Sequence, residues 1–459
     1  MRNFFCIFKI NSVRSDLKSH LRPVAMNSAG KKAMNSALRS SWTLFFGILL
    51  FMIGNGLQGV LLGVRSEQLG FGDIATGLVM GGYFIGYFSG SFFVPKMVSK
   101  VGHIRVFGVM AALASASILV HPIAENSFIW MVMRILTGFA YVGMYIVSES
   151  WINDKATNLT RGALLSVYMI VQMLGMMIGQ FMLNLSGDND YGLFLAISII
   201  VSFAAIPIML TAASVPDFSA PEPASLRRVY NTSPLSVVGM LIVGFNASII
   251  FGMGAVYATK IGMNVSQVSL FMISIGAGAM LLQYPIGKLS DLLDRRTVIL
   301  ITHIISALCL LVGYFTSGLG FIMIFLIIAI YGGVSTPQYS LYIAHANDYL
   351  SPRQVVGTSA KLIMINGLGA IFGPPVIGYT IYAFGINAFL IVQLITHLGM
   401  VSFVIYRMYA RESMPVEAQG PFISVRGTGI AASLLPEAEW EGRTTTKDED
   451  KVLPYHQNG

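Results

Sequence analysis

Twelve apolar stretches follow one another along this chain, each bounded by a short polar turn. A helix needs about 20 apolar residues to cross the hydrocarbon core of a bilayer. Stretches of that kind lie near 42–64, 76–98, 104–122, 128–150, 162–184 and 191–213, then near 235–258, 268–288, 298–317, 320–344, 356–382 and 386–406. In lipid every backbone N–H and C=O must be satisfied within the segment, which selects helices, and barrel strands would be about half as long. Composition agrees: charged residues are 11% of the chain and apolar types 55%, where soluble proteins carry roughly a quarter charged residues. The expectation is an all-α membrane protein with twelve transmembrane helices.

The net charge of +8 is distributed for topology rather than for nucleic acid. Arg2, Lys9, Arg14, Lys18, Arg22, Lys31, Lys32 and Arg39 crowd the first 41 residues, with Asp16 the one acid among them. Lys96, Lys100, Arg105, Lys155, Arg161, Arg227, Arg228, Lys288, Arg295, Arg296 and Arg353 fall on one side of the membrane, against Arg65 and Lys260 on the other. Basic loops stay cytoplasmic, so both termini are expected there, in an inner (plasma) type of membrane. Residues 1–41 show no apolar core followed by a cleavage site and are read as a basic cytoplasmic tail, with Met26 and Met34 as alternative starts. Cys6 and Cys309 form no disulfide framework or metal cluster. The polar, Gly- and Pro-dotted stretch 407–459 is expected to be a disordered cytoplasmic tail.

The longest polar interruption, 214–234, has the composition of a linker and divides the spans six and six, giving bundles 42–213 and 235–406. The halves echo each other. Residues 69–80 read LGFGDIATGLVM and residues 261–272 read IGMNVSQVSLFM; at nearly the same offset Asn153-Asp154 recurs as Asn347-Asp348, and Gly175 and Gly179 as Gly369 and Gly373. An even number of spans in each half makes the repeats parallel, a transporter architecture with its ligand site at the repeat interface.

The run Gly287-Lys-Leu-Ser-Asp291-Leu-Leu-Asp294-Arg295-Arg296 resembles the loop motif of the major facilitator superfamily. The loop after span two is similar but has Pro95 and Ser99 in place of the motif's Gly and Asp, while Lys100, Gly102 and Arg105 remain. Arg134-x-x-x-Gly138 resembles the family's fourth-helix motif, and Glu149 with Arg161-Gly162 the Glu…Arg-Gly pair flanking the fourth-to-fifth loop. The Glu-Ser…Asn-x-x-Arg-Gly run is most similar to the YcaD-like branch. The resemblance covers roughly 42–406 and implies two six-helix repeats rocking around a central site, with Lys100, Arg105, Glu149, Arg161, Gly287, Asp291, Arg295 and Arg296 as gating or latch residues.

Polar side chains within spans supply the cavity candidates. Arg134, Tyr141, Tyr145 and Ser148 share one face of span four, and such a stripe should face protein or a wet cavity rather than lipid. Arg134 stays open between holding an anionic substrate group, modulating the protonation of a neighbour, and bonding backbone carbonyls of neighbouring helices. Glu149 is open between a proton carrier and half of a latch with Arg161 or a basic loop residue. Tyr168 and Gln172 in span five, Asn55 and Gln58 in span one, Asn246, Gln283, Gln338 and Asn366 complete the set. His303 and His397 fall in spans nine and twelve, which in the family are supporting helices.

The leading expectation is a secondary transporter that exports a small amphipathic compound, with protons as a candidate coupling ion. Import or facilitated passage of a polar metabolite, and a transport-inactive receptor or scaffold, are the alternatives. The chain lacks a G-x-x-x-x-G-K-[ST] loop, and no cofactor is implied. Its seven histidines are scattered and pair with no acid or cysteine set, which argues against an enzyme. No Asp or Glu lies near the middle of any marked span.

Overall fold

The computed structural model describes residues 39, 41–157, 160–185, 191–210, 225–315, 320–350, 352–416, 419, 420 and 422, with Arg161, Gly162, Pro352, Arg353 and Val356 described by backbone alone. Twelve helices are long and apolar enough to cross a membrane. The first half comprises α1 (Trp42–Gln68), α2 (Asp73–Val101), α3 (His103–Ile123), α4 (Ser127–Lys155), α5 (Arg161–Met182) and α6 (Tyr191–Met209). The second comprises α7 (Pro234–Lys260), α8 (Val265–Leu292), α9 (Arg295–Phe315), α10 (Phe321–Asn347), α11 (Pro352–Phe384) and α12 (Ala388–Ala410). A short helix, Leu226–Thr232, leads into α7. No strand occurs among the described residues.

Duplication is visible in which helices pair. α1 packs on α5, α2 on α4 and α3 on α6; α7 packs on α11, α8 on α10 and α9 on α12. The echoed segments fall at the same corner of each half, the α1–α2 and α7–α8 turns, where Gly70 and Gly262 both take positive φ. Asn264 then caps α8 in a capping box with Gln267.

Small residues set how closely these pairs approach. Between lipid-embedded helices apolar contact brings little gain, so backbone proximity and van der Waals packing hold them together. A Cβ added at Gly138 would collide with the Tyr83 carbonyl, and one at Gly86 with the Ile135 carbonyl, locking α2 to α4.

α10 is interrupted where Thr336-Pro337 separates Phe321–Ser335 from Gln338–Asn347. Proline cannot donate to the helical ladder, and the break turns Ser335, Thr336 and Gln338 toward the molecular centre. Pro374 and Pro375, by contrast, sit inside the continuous α11.

Twelve spans bring the start of α1 and the end of α12 to one end of the bundle, here the termini end; the other is the distal end. The halves meet through α2–α11, α1–α7 and α5–α8. Near the distal end of α2 and α11, a Cβ on Gly77 would stand 3.0 Å from Gly378 Cα, and one on Gly81 would stand 2.9 Å from the Pro375 ring. Lys260 of α7 adds ion pairs to Glu67 at 3.1 Å and to Asp73 at 2.8 Å.

At the termini end the stretch after α12 departs from the free tail that its composition suggests. Gly420 N–H donates to Asp348 Oδ1 at 3.1 Å, Phe422 N–H donates to Asp291 Oδ1 at 2.7 Å, and the Phe422 ring covers Gly287. The exposed Asp291 of α8 and the buried Arg295 and Asp348 side chains of α9 and the α10 end supply partners that the polar composition alone does not reveal. The remainder of the tail, residues 1–38 and linker residues 211–224 lie outside the described residues.

Candidate functional site

A cavity of about 280 Å³ lies between the halves, near the lower end of small-molecule sites, which run roughly 300–1,000 Å³. Its first-half wall comes from α1, α2, α4 and α5, its second-half wall from α7, α8, α10 and α11. Seven expected residues line it: Asn55, Arg134, Tyr145, Gln172, Asn246, Gln338 and Asn366. Met52, Met173, Met176, Met177 and Met272 supply much of the apolar surface, a soft lining that adapts to irregular ligands.

Four expected residues lie elsewhere. Gln58 is buried on α1, about 60° around the helix from Asn55 and away from the Gly56–Val60 arc that faces the cavity. Tyr141 shares the face of Arg134 but is covered by Tyr83 and Phe51, whose ring centroids lie 6.2 and 6.3 Å away. Tyr168 is buried and donates to Glu149 Oε1 at 2.7 Å. Gln283 lies one helical turn beyond Ala279, the last α8 residue on the wall.

Arg134 dominates the electrostatics. It is 4% exposed, its guanidinium stands 4.7 Å from the Tyr83 ring centroid, and its Nε and Nη1 have no hydrogen-bond partner. Gln172 Nε2 is also buried without one. Gln180 Oε1, an acceptor, is buried on the wall without one too, while several other polar groups there are engaged. Asn55 donates to the Tyr145 hydroxyl at 3.4 Å, which donates to Met52 Sδ at 2.9 Å, while Asn366 donates to Met240 O at 3.0 Å. The spare donors of Arg134 and Gln172 are complementary to a ligand that brings acceptors. Arg134 is thus not satisfied by backbone carbonyls through Nε or Nη1, as one sequence reading allowed.

The expected latch residues gather at the termini end, and they differ between halves. Arg295, buried on α9, pairs with the buried Asp348 at 2.5 Å, bonds Ser290 Oγ at 3.0 Å and Gly420 O at 2.7 Å, and lies 3.9 Å from Asp291. Arg296 pairs with Asp294 at 3.1 Å and donates to Arg411 O at 2.8 Å. Lys100 and Arg105 are exposed. The Arg161 side chain lies outside the described residues, so its expected pairing with Glu149 does too.

Sequence reasoning missed the distal Lys260–Glu67–Asp73 cluster, whose signal is a lone basic residue facing acids on the other repeat. It also missed how His303 and His397 meet, since they lie far apart on helices read as supports.

A ligand-sized chamber shared by two parallel six-helix halves defines a membrane transporter of the secondary kind. The chain belongs to the Major Facilitator Superfamily, whose model matches residues 44–237 and again 235–441. It is 26% identical over 360 residues to the uncharacterized MFS-type transporter YfkF of Bacillus subtilis (strain 168), covering 75% of this chain and 90% of that one. It is 22% identical over 347 residues to the uncharacterized MFS-type transporter YcaD of Salmonella newport (strain SL254), covering 74% and 88%. Among solved structures, nucleoside transporter NupG superposes with a TM-score of 0.66 at 15% identity, covering 81% of this chain and 98% of that one. A bacterial homolog of the human lysosomal transporter Spinster, inward-facing and unoccupied, gives 0.63 at 15% identity, covering 89% and 99%. At such identity the superpositions speak to fold.

Proposed function

We propose that this transporter exports a small amphipathic compound bearing an acceptor-rich, anionic group such as a carboxylate or sulfonate, by alternating access around the central cavity. The observation that carries this reading is Arg134, a buried guanidinium at the cavity wall with Nε and Nη1 unbonded. A buried cation without a counter-charge costs several kcal/mol, a cost that an anionic ligand offsets on binding. The methionines and Phe84, Phe251 and Ile275 on the wall would take the apolar body. Compounds of that kind partition into lipid unaided, which favours expulsion over uptake.

The packing between halves at the distal end supports a state that opens toward the termini end, which we place in the cytoplasm. Passage of a polar metabolite is the second reading, favoured by the amides Asn55, Asn246 and Asn366. Thermal-shift and direct binding measurements against aliphatic carboxylates, sulfonates and their neutral esters, followed by counterflow in proteoliposomes, decide between them. We expect the acids to bind at least about tenfold tighter than their esters, equivalent to 1.4 kcal/mol, with that preference lost in Arg134→Ala. Equal binding of acid and ester, or a preference that survives Arg134→Ala, would sink the anionic reading.

A further inference from the structure

Behind the second-half wall lies a buried polar cluster built on two histidines. His303 on α9 and His397 on α12 are both 0% exposed, and their Nδ1 atoms lie 2.8 Å apart. His303 Nε2 is 2.7 Å from the Tyr342 hydroxyl. His397 Nε2 faces two groups that line the cavity, Tyr331 Oη at 3.3 Å and Asn246 Nδ2 at 3.5 Å. We propose that the His303–His397 pair is a one-proton site, loaded from the cavity at His397 Nε2, that switches the Asn246 side chain on the cavity wall.

One bonding pattern defines the neutral pair. Thr396 Oγ1 donates to Asn246 Oδ1 at 2.9 Å, which turns the Asn246 amide group toward His397. His397 Nε2 is then an acceptor, its proton sits on Nδ1 and points to His303 Nδ1, and His303 donates through Nε2 to Tyr342. The open lone pair of this neutral pair is the one facing the cavity wall.

A proton added there makes His397 a donor on both sides. Asn246 must then present its oxygen and its amide group turns to Thr396. Thr396 has an alternative acceptor, Gln393 O at 2.8 Å, so its hydroxyl can donate there and accept from Asn246. Tyr331 already donates to Gln393 Oε1 at 3.0 Å, leaving its oxygen to accept from His397. Asn246 and Thr396 therefore stay paired in both protonation states, which makes the cluster a two-state element rather than a graded one. A second proton would set two imidazolium rings against each other across 2.8 Å, so the pair holds one.

The titratable groups facing the pair are Tyr331 and Tyr342 on α10, with Cys309 of α9 acting on Tyr331. α7 and α12 contribute the neutral Asn246, Gln393 and Thr396. No carboxylate or guanidinium contact to either ring is described among these residues, so the added charge stands on hydroxyl and amide oxygens alone.

The inference rests on the transporter reading but is tested with protons as the sole ligand. The full chain in nanodiscs, labelled with 15N-histidine, is titrated by NMR between about pH 4 and 8. We expect one protonation belonging to the pair, absent from both His303→Gln and His397→Gln. Spin labels at Ile123→Cys and Phe384→Cys, exposed positions at the distal ends of α3 and α11, should report a change in separation over the same range. Thr396→Val keeps both rings and a similar volume but removes the hydroxyl that serves both amide orientations, so it should retain the fold and lose the change in separation. A pair that stays unprotonated, two rings that titrate independently, or a change in separation that survives His397→Gln or Thr396→Val overturns the proposal. None of these results bears on Arg134, so the cavity reading stands or falls separately.

Discussion

The two halves share a skeleton and differ in what they bury. Both pair first helix with fifth, second with fourth, third with sixth. Yet the first half places an under-bonded arginine at the cavity wall, and the second places a hydrogen-bonded histidine cluster behind it. Backbone contacts between small residues fix helix spacing, so duplication preserves them. Polar groups inside the spans are costly wherever they sit, so each half is free to carry a different set. In the proposed function the first half holds the ligand, and in the further inference the second senses the proton.

The largest contrast expected is at the termini end. Arg295 of the second half corresponds, at the offset of the echoed segments, to His103 of the first, and Asp348 corresponds to Asp154. Arg295 and Asp348 form a buried pair, whereas His103 bonds Ser150 Oγ at 2.8 Å and Asp154 is exposed. Removing one partner of a buried pair costs about 3–5 kcal/mol. Asp348→Asn should therefore lower the melting temperature sharply in detergent, while Asp154→Asn leaves it nearly unchanged. Similar melting of the two variants would break the comparison.

Next comes Arg134→Met. Exchanging a buried, unpaired guanidinium for an apolar side chain of similar length should stabilise the protein, by about 1–4 kcal/mol, while the preference for acids over their esters disappears. His397→Leu should act in the opposite sense, because it strands His303 and Asn246 at about 1–3 kcal/mol for each buried group left unpaired. A pair of melting curves with the same sign would show that the halves are not specialised in this way.

Much of this was legible in the sequence, and the lapses have physical causes. Span length and spacing revealed twelve helices, because lipid leaves the backbone few options. Polar residues inside those spans pointed to Arg134, Tyr145, Gln172 and Asn246 on the cavity wall. The same rule placed Tyr141 there and failed, since one helical face also contacts neighbouring helices, and Phe51 and Tyr83 cover that ring. His303 and His397 meet only through the α9–α12 packing, a tertiary fact that periodicity does not contain. For the docked stretch around Gly420, composition registers its polarity but not the Asp348 and Asp291 carboxylates awaiting its amides.

A smaller effect is expected at the distal end, where Lys260 joins Glu67 and Asp73 across the halves. These side chains are partly exposed, so the pairs are worth less than the buried Arg295–Asp348 pair. Lys260→Met should leave the fold intact and shift the population toward a distally open state by roughly tenfold, or 1.4 kcal/mol. The spin labels at Ile123→Cys and Phe384→Cys would register this as a longer separation. An unchanged separation would mean that the other contacts between the halves, the glycine–proline packing of α2 on α11 and the Ser269–Gln180 hydrogen bond among them, close this end without it.

The smallest effect concerns the docked stretch. Phe422 donates its N–H to Asp291 and rests its ring on Gly287, whereas the first half has Pro95 and Ser99 at the matching positions of its loop. Phe422→Ala keeps the backbone hydrogen bond and removes the ring, so the cost should be about 1 kcal/mol, typical of a single substitution. Gly287→Ala should do comparable harm from the other side, because the added Cβ would stand 2.5 Å from the nearest Phe422 ring carbon. If the ring is the shared cause, the double variant should cost less than the two single changes added together, since neighbours in contact are not additive. Hydrogen–deuterium exchange at the termini end of α8 provides the readout. Strict additivity would show that Phe422 and Gly287 act separately, and that the second half's loop motif does not use the ring to anchor the stretch after α12.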